Sequence, residues 1–264
     1  PYVYLVKAQG RFRSVEYGEK MGGMEKEEKL DPAEDITGEV EMYWRQELTI
    51  YDVRVVEKKG ILLNEKEFLP HEVVYRLPPQ ISDAGTRVEQ VRRDLERLVQ
   101  MGVNVIRLEG TGTGAEGVNC SEVRTFYSLC RKRGFLTGDL WIRPENLPVY
   151  RGLPGETTCQ ALLAADGRTL TERYYYYQAK WSSEPVLYPV LSTLHRQENG
   201  LLSLTIYSNQ KKVVLYVDGV LFLFQSAASG DPEFIFEDIP VAKLPLHLAV
   251  EAGNLSISLT VSKI

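Results

Sequence analysis

Apolar positions follow two periods, and the change between them divides the chain. Val88, Val91, Leu95, Leu98 and Val99 recur at helical spacing, which lays an apolar stripe along a helix over Thr86–Met101. Thr86 followed by Glu89 reads as a capping box, in which each side chain meets the other's free backbone N–H. Gly102 supplies the left-handed residue that ends the helix. A second helix is predicted over Asn119–Gly134, with Asn119 as cap, Glu122 three residues on, and Val123, Phe126, Tyr127 and Cys130 on one face. Around the two helices the pattern predicts strands over Ile61–Arg76, Val103–Leu108 and Phe135–Ile142. Strands alternating with helices predict parallel pairing through right-handed crossovers, in a doubly wound sheet or a (β/α) barrel.

The rest of the chain alternates with the two-residue period of strands. Tyr2–Lys7, Glu39–Trp44 and Leu48–Val56 are predicted strands, too few to close a sandwich alone. The charged, glycine-bearing stretch Gly18–Asp35 reads as a solvated loop. Residues 143–170 hold Pro144, Pro148 and Pro154 and read as connecting coil. Thr171–Trp181, with four consecutive tyrosines, is predicted to be short and either helical or extended. From Pro185 onward the chain is all β: Leu201–Tyr207, Val213–Val217, Val220–Phe224, Glu233–Phe236, Leu246–Glu251 and Leu255–Val261 are short strands. Asp218-Gly219 between two of them is a strong hairpin signal, and strands at this spacing predict an immunoglobulin-like β-sandwich.

Composition narrows the function classes. With 264 residues, 44% of them hydrophobic, the chain can bury more than one core. A net charge of −5 argues against nucleic acid or an anionic membrane as partner. The three cysteines, Cys120, Cys130 and Cys159, are odd in number and lack zinc-ligand spacing, so neither a disulfide framework nor a metal site is expected. No signal peptide is visible and no apolar run approaches a membrane span, so the expected location is cytoplasmic. The first residue is Pro1, and upstream sequence is expected.

Gly112-Thr-Gly114-Ala-Glu-Gly117 matches the dinucleotide-binding fingerprint, with Asp139 near the distance of a ribose-binding acid. In that fold the third glycine lies in the first helical turn. Here the caps start the helix at Asn119, past all three glycines, so a pyrophosphate would not meet the helix N-terminus. The stretch is therefore read as a connecting loop, no cofactor is expected, and dinucleotide binding is kept as the weaker alternative.

Four stretches carry a family resemblance. Tyr51-Asp-Val-Arg-Val-Val56 followed by Gly60-Ile-Leu-Leu-Asn64-Glu-Lys-Glu-Phe68 looks like a sandwich-to-barrel junction. Arg93–Arg107, ending Met-Gly-Val-Asn-Val-Ile-Arg, looks like a barrel helix and the strand after it, and Thr125-Phe-Tyr-Ser-Leu-Cys-Arg-Lys-Arg-Gly-Phe135 like the next helix. Val214-Leu-Tyr-Val-Asp-Gly219 looks like part of an accessory sandwich behind the barrel. Together they resemble glycoside hydrolase family 2, the family of β-galactosidases and β-glucuronidases. The resemblance implies multidomain β plus α/β architecture: a partial β-sandwich of immunoglobulin-like strands over 1–58, a partial (β/α) TIM-type barrel over 59–148, a connector over 149–180 and a C-terminal immunoglobulin-like sandwich over 181–264.

The departures from the family set the functional expectation. The family's first barrel strand ends in Asn-Arg-His-Glu, where this chain has Glu72-Val-Val-Tyr-Arg76. The second strand keeps Arg107 but not the His that follows it in the family. A barrel takes about 250 residues in eight units, and Ile61–Tyr174 has room for about three. Retaining hydrolysis needs two carboxyls about 5–5.5 Å apart. The family's two catalytic Glu lie on later strands, and the Asn-Glu pair that marks its acid/base occurs here only at Asn64-Glu65, before the barrel. Glu145, Glu156 and Glu172 read as solvated loop acids. The chain is thus expected to be a family 2-like protein without its catalytic pair, or else a non-catalytic carbohydrate-binding or structural module. Arg107, Asp139 and Trp141 are the candidate β-glycoside contacts; the bland reading of Arg107 is an ion pair with Glu109 or Asp139. His71, His195 and His247 read as structural. An unfinished barrel leaves open strand edges, so a partner chain or self-association is expected.

Overall fold

The computed structural model describes residues 2–8, 44–50, 52–57, 60–78, 84–109, 120–137, 147–152, 161–227 and 230–263. The chain divides into two compact units, Pro1–Leu69 and Pro70–Ile264.

In the first unit, β1 (Tyr2–Ala8) pairs antiparallel with β2 (Trp44–Ile50). A three-stranded antiparallel meander follows: β3 (Val53–Val56), β4 (Gly60–Leu63) and β5 (Lys66–Phe68). The expected single strand over Ile61–Arg76 is broken. Asn64 and Glu65 both take positive φ, 50° and 67°, which builds a tight hairpin turn between β4 and β5. Asn64 Oδ1 accepts the Asp52 N–H at 3.0 Å and pins the turn to β3. The Asn-Glu pair here is turn chemistry.

The second unit opens with β6 (Glu72–Tyr75), α1 (Ala84–Met101), β7 (Val105–Leu108), α2 (Cys120–Lys132) and β8 (Leu136–Thr137). Helix α1 starts two residues before the expected cap, so Thr86 lies in its first turn. Both helices end as the glycines predicted. Gly102 (φ 86°) and Gly134 (φ 82°) are left-handed, with Val103 N–H bonding to Leu98 O and Phe135 N–H to Cys130 O, the Schellman arrangement. Of the predicted stripe on α1, Val91, Leu95 and Leu98 are buried, whereas Val99 is half exposed.

Residues 143–170, expected as coil, contribute β9 (Val149–Arg151) and β10 (Ala161–Leu163). Helix α3 (Glu172–Trp181) follows. The five strands form one parallel sheet in the order β10-β9-β6-β7-β8. Strand side chains alternate between faces. Val73, Tyr75, Ile106 and Leu108 share a single apolar cluster with residues of α1, α2 and α3. The three helices therefore cover the same face, and Glu72, Val74 and Arg107 belong to the other.

The C-terminal part adds β11 (Leu187–Arg196), β12 (Leu202–Ser208), β13 (Lys212–Val217), β14 (Val220–Ser226), β15 (Glu233–Ile239), β16 (Leu246–Ala252) and β17 (Leu255–Val261). They make two antiparallel sheets, β11-β12-β15 and β14-β13-β16-β17. Leu204, Ile206 and Phe236 of the first meet Leu215, Leu248 and Val250 of the second in a shared core, a β-sandwich. Asp218 and Gly219, both at positive φ, form the predicted β13–β14 turn.

Candidate functional site

Arg107 pairs with Glu72, a partner that its sequence reading did not name. Residues two apart on a strand share a face, so Glu72 and Arg107 meet across the parallel pair β6–β7, in which Val74 stands opposite Arg107. The Arg107 Nε and Nη2 each lie 2.8 Å from Glu72 Oε1, and the Glu72 side chain is fully buried. Glu109 pairs instead with Arg76, whose Nη1 also donates to Arg151 O. This face thus carries two crossed ion pairs. Each carboxylate is held by an arginine, an arrangement suited to positioning strands rather than to delivering a proton. Asp139, Trp141 and the Gly112, Gly114 and Gly117 loop lie outside the described residues.

A second polar group sits on the helix side, and the sequence reading missed it. Asp94 is 1% exposed, in the apolar stripe of α1. It accepts from Tyr75 Oη at 2.8 Å, Tyr150 Oη at 3.1 Å and Arg151 Nη2 at 2.7 Å, with Arg97 Nη1 at 3.9 Å. A buried carboxylate needs such partners. Burial first, then the Asp94 charge, pushes the Tyr75 and Tyr150 phenols above their ordinary range. The available signal was an aspartate three residues after Val91 on the buried stripe.

A third group is aromatic. Tyr176, Tyr177, Tyr188 and Tyr207 line a cleft of about 820 Å³ between α3 and the sandwich. Tyr188 stacks on Tyr175 at 3.8 Å, and Tyr176 meets Tyr207 edge-on at 5.4 Å. Glu172, expected as a solvated loop acid, accepts from the Ser192 hydroxyl at 2.7 Å and ties α3 to β11. Trp181 is stacked on His71 at 5.2 Å and packs against Tyr177. His71 also bonds to Gly102 O through Nδ1 at 2.8 Å, a structural role. His195 and His247 bond within the sandwich, to Thr193 O and Thr260. Cys130 is buried, which raises its thiol to about 12. Among the described residues no three His, Cys, Asp or Glu side chains converge on a point that could hold a metal ion.

No family model matches the sequence, and no curated protein matches it. Solved structures do match in fold. A β-glucuronidase from Parabacteroides merdae superimposes with a TM-score of 0.57 at 9% identity, over 85% of this chain and 52% of that one. A protein described as a β-galactosidase from Bacteroides fragilis gives 0.54 at 13% identity, over 85% and 59%. A glycosyl hydrolase family 2 member from Bacteroides cellulosilyticus gives 0.50 at 12%, over 83% and 49%. The chain therefore has a fold like that of glycoside hydrolase family 2, and it spans about half to three-fifths of the length of these structures.

Proposed function

We propose that this chain is a glycoside hydrolase family 2 relative, of the β-glucuronidase and β-galactosidase type, whose (β/α) barrel is an arc without the catalytic carboxylate pair. The observation that carries this reading is the place of β9. It follows β8 after only residues 138–148, yet it pairs with β6, on the side away from β7. In a closed eight-stranded barrel the neighbours of the first strand are the second and the last. Taking β9 for a closing strand, the intervening strands are skipped, and with them the positions where the family carries both Glu; β10, which follows β9 and pairs on its far side, departs from barrel order. The immunoglobulin-like topology of the C-terminal sandwich belongs to the same proposal.

The order β8-β7-β6-β9-β10 is also that of a doubly wound nucleotide-binding sheet. Such sheets carry helices on both faces; among the described residues α1, α2 and α3 all pack on one, which favours the arc. If a dinucleotide site existed, NAD would raise the melting temperature; the arc reading expects no shift.

The isolated chain is expected to show no turnover of chromogenic β-glucuronides or β-galactosides. Turnover that vanishes on replacing a single Glu would overturn the incomplete-site reading. A second reading, non-catalytic carbohydrate binding, rests on the tyrosine cleft, because phenol faces and edges suit sugar rings. It expects glycan-array binding lost in Tyr176→Ala and Tyr207→Ala. An array without signal would remove it.

A further inference from the structure

A cavity of about 370 Å³ opens between α1, the end of β9 and the turn after β10. Four guanidinium groups line it: Arg93 and Arg97 from α1, Arg151 from β9 and Arg168 from the turn, against the carboxylates of Asp94 and Asp166. Both carboxylates are engaged, Asp94 partly by the lining itself, with Arg151 Nη2 at 2.7 Å and Arg97 Nη1 at 3.9 Å. Asp94 is held by Tyr75, Tyr150 and Arg151. Asp166 closes its own turn, accepting the backbone N–H groups of Arg168 and Thr169 and the Thr169 hydroxyl. Arg93 and Arg168 make no ion pair among the described residues. The lining is cationic in a chain whose net charge is −5, so the positive field is local to this place.

Arg151 is the fixed member. Its side chain is 5% exposed, its Nη2 is spent on Asp94, and its Nε has no partner. Its Nη1 faces Gly167. A Cβ on Gly167 would stand 2.7 Å from that Nη1 and 3.1 Å from Gln90 Nε2, and φ there is +69°. Glycine lets the turn pass close over the guanidinium without filling the space beside it. Orienting an arginine in this way commits a buried carboxylate and two buried phenols, more than an isolated ion pair needs.

We propose that this cavity binds a small doubly charged oxyanion, either inorganic phosphate or the phosphate end of a small phosphomonoester, with Arg151 as its floor and Arg93, Arg97 and Arg168 closing on it. Planar guanidinium forks match the spacing of phosphate oxygens and form charge-assisted hydrogen bonds. The volume lies within the range of about 300–1,000 Å³ usual for small-ligand sites. The proposal does not depend on the barrel reading and can fail without it.

The test is calorimetric titration and thermal melting of the full chain with inorganic phosphate and, in a separate arm, glycerol phosphate, each against sodium chloride at matched ionic strength. Saturable binding and a concentration-dependent rise in melting temperature are expected in at least one arm. A stronger response to glycerol phosphate identifies an esterified ligand, and equal responses identify the free anion. Arg93→Gln and Arg168→Gln, both exposed, are expected to keep the ligand-free melting temperature and to weaken binding about tenfold each. Absence of saturable binding, a response reproduced by chloride, or unchanged affinity in both variants would overturn the proposal.

Discussion

Asp94 occupies a position that the stripe of α1 would fill with an apolar side chain, and its surroundings were rebuilt to suit it. Two phenols and a guanidinium reach it from β6 and β9. Removing one member of a buried charge pair strands the other, so Asp94→Ala is expected to cost about 3–5 kcal/mol in urea denaturation. A loss under about 1 kcal/mol, typical of an exposed pair, would show that the group is solvated. The phenols give a pH test. A folded-state pKa raised above the unfolded value means that the folded chain keeps protons the unfolded chain releases. The stability that Tyr75 and Tyr150 supply is therefore whole below their ordinary value of 10.0 and declines as pH climbs above it. Phenolate absorbance should show both ionising only together with unfolding. Reversible ionisation of all tyrosines in a still-folded chain would contradict the network. Asp166 titrates in the opposite sense: hydrogen bonds from the Thr169 hydroxyl, then from the Thr169 and Arg168 N–H groups, hold it at about 2. What it contributes is present above its ordinary value of 3.8 and is lost as pH falls from there.

Helix ends were the most legible elements, because a terminating glycine acts through local backbone geometry. Gly102 shows why it is glycine twice over. Its φ is positive, and a Cβ there would stand 2.4 Å from the Trp181 carbonyl oxygen. Gly102→Ala should therefore destabilise by more than the ~1 kcal/mol usual for glycine replacement, read as a lower melting temperature, whereas Gly134→Ala, with open space around its Cβ, should cost only the backbone strain. Equal losses in the two would mean that α1 and α3 do not meet there. The strands β9 and β10 were illegible for a different reason. Each is three residues long, shorter than any periodic pattern can reveal, and prolines and glycines surround them. The four-tyrosine run is helical despite the strand preference of tyrosine, because burying Tyr174 and Ala179 outweighs a propensity of a fraction of a kcal/mol.

At the scale of the whole molecule, β8 ends one side of the parallel sheet, while the outer side of β10 is met by Leu170 and Thr171. Strand edges present unpaired backbone groups, so an open arc is expected to self-associate or to recruit a partner, seen as concentration-dependent sedimentation. A monodisperse monomer at high concentration would contradict that. The sandwich is tied to the α/β layer through Asn209, which donates to the carbonyls of Ser182 and Glu184 and accepts from Val186 N–H. Asn209→Ala removes three hydrogen bonds that are half-buried or exposed, at about 0.5–1.5 kcal/mol for each. It should split a single unfolding transition of residues 70–264 into two, and a transition that stays single would show that the coupling lies elsewhere.

The sequence by itself determined the helices, their glycine stops, the Asp218-Gly219 hairpin and the all-β C-terminal part, since each depends on residues a few positions apart. It also carried Arg107 as a charged strand residue, but not its partner. Only the tertiary structure decided that Glu72 answers Arg107, that β9 returns to the flank of β6, and that four arginines gather around one cavity. Those facts depend on which strands lie side by side. Residues distant along the chain become neighbours through hydrogen-bonded register and shared burial, and neither leaves a periodic mark in the sequence.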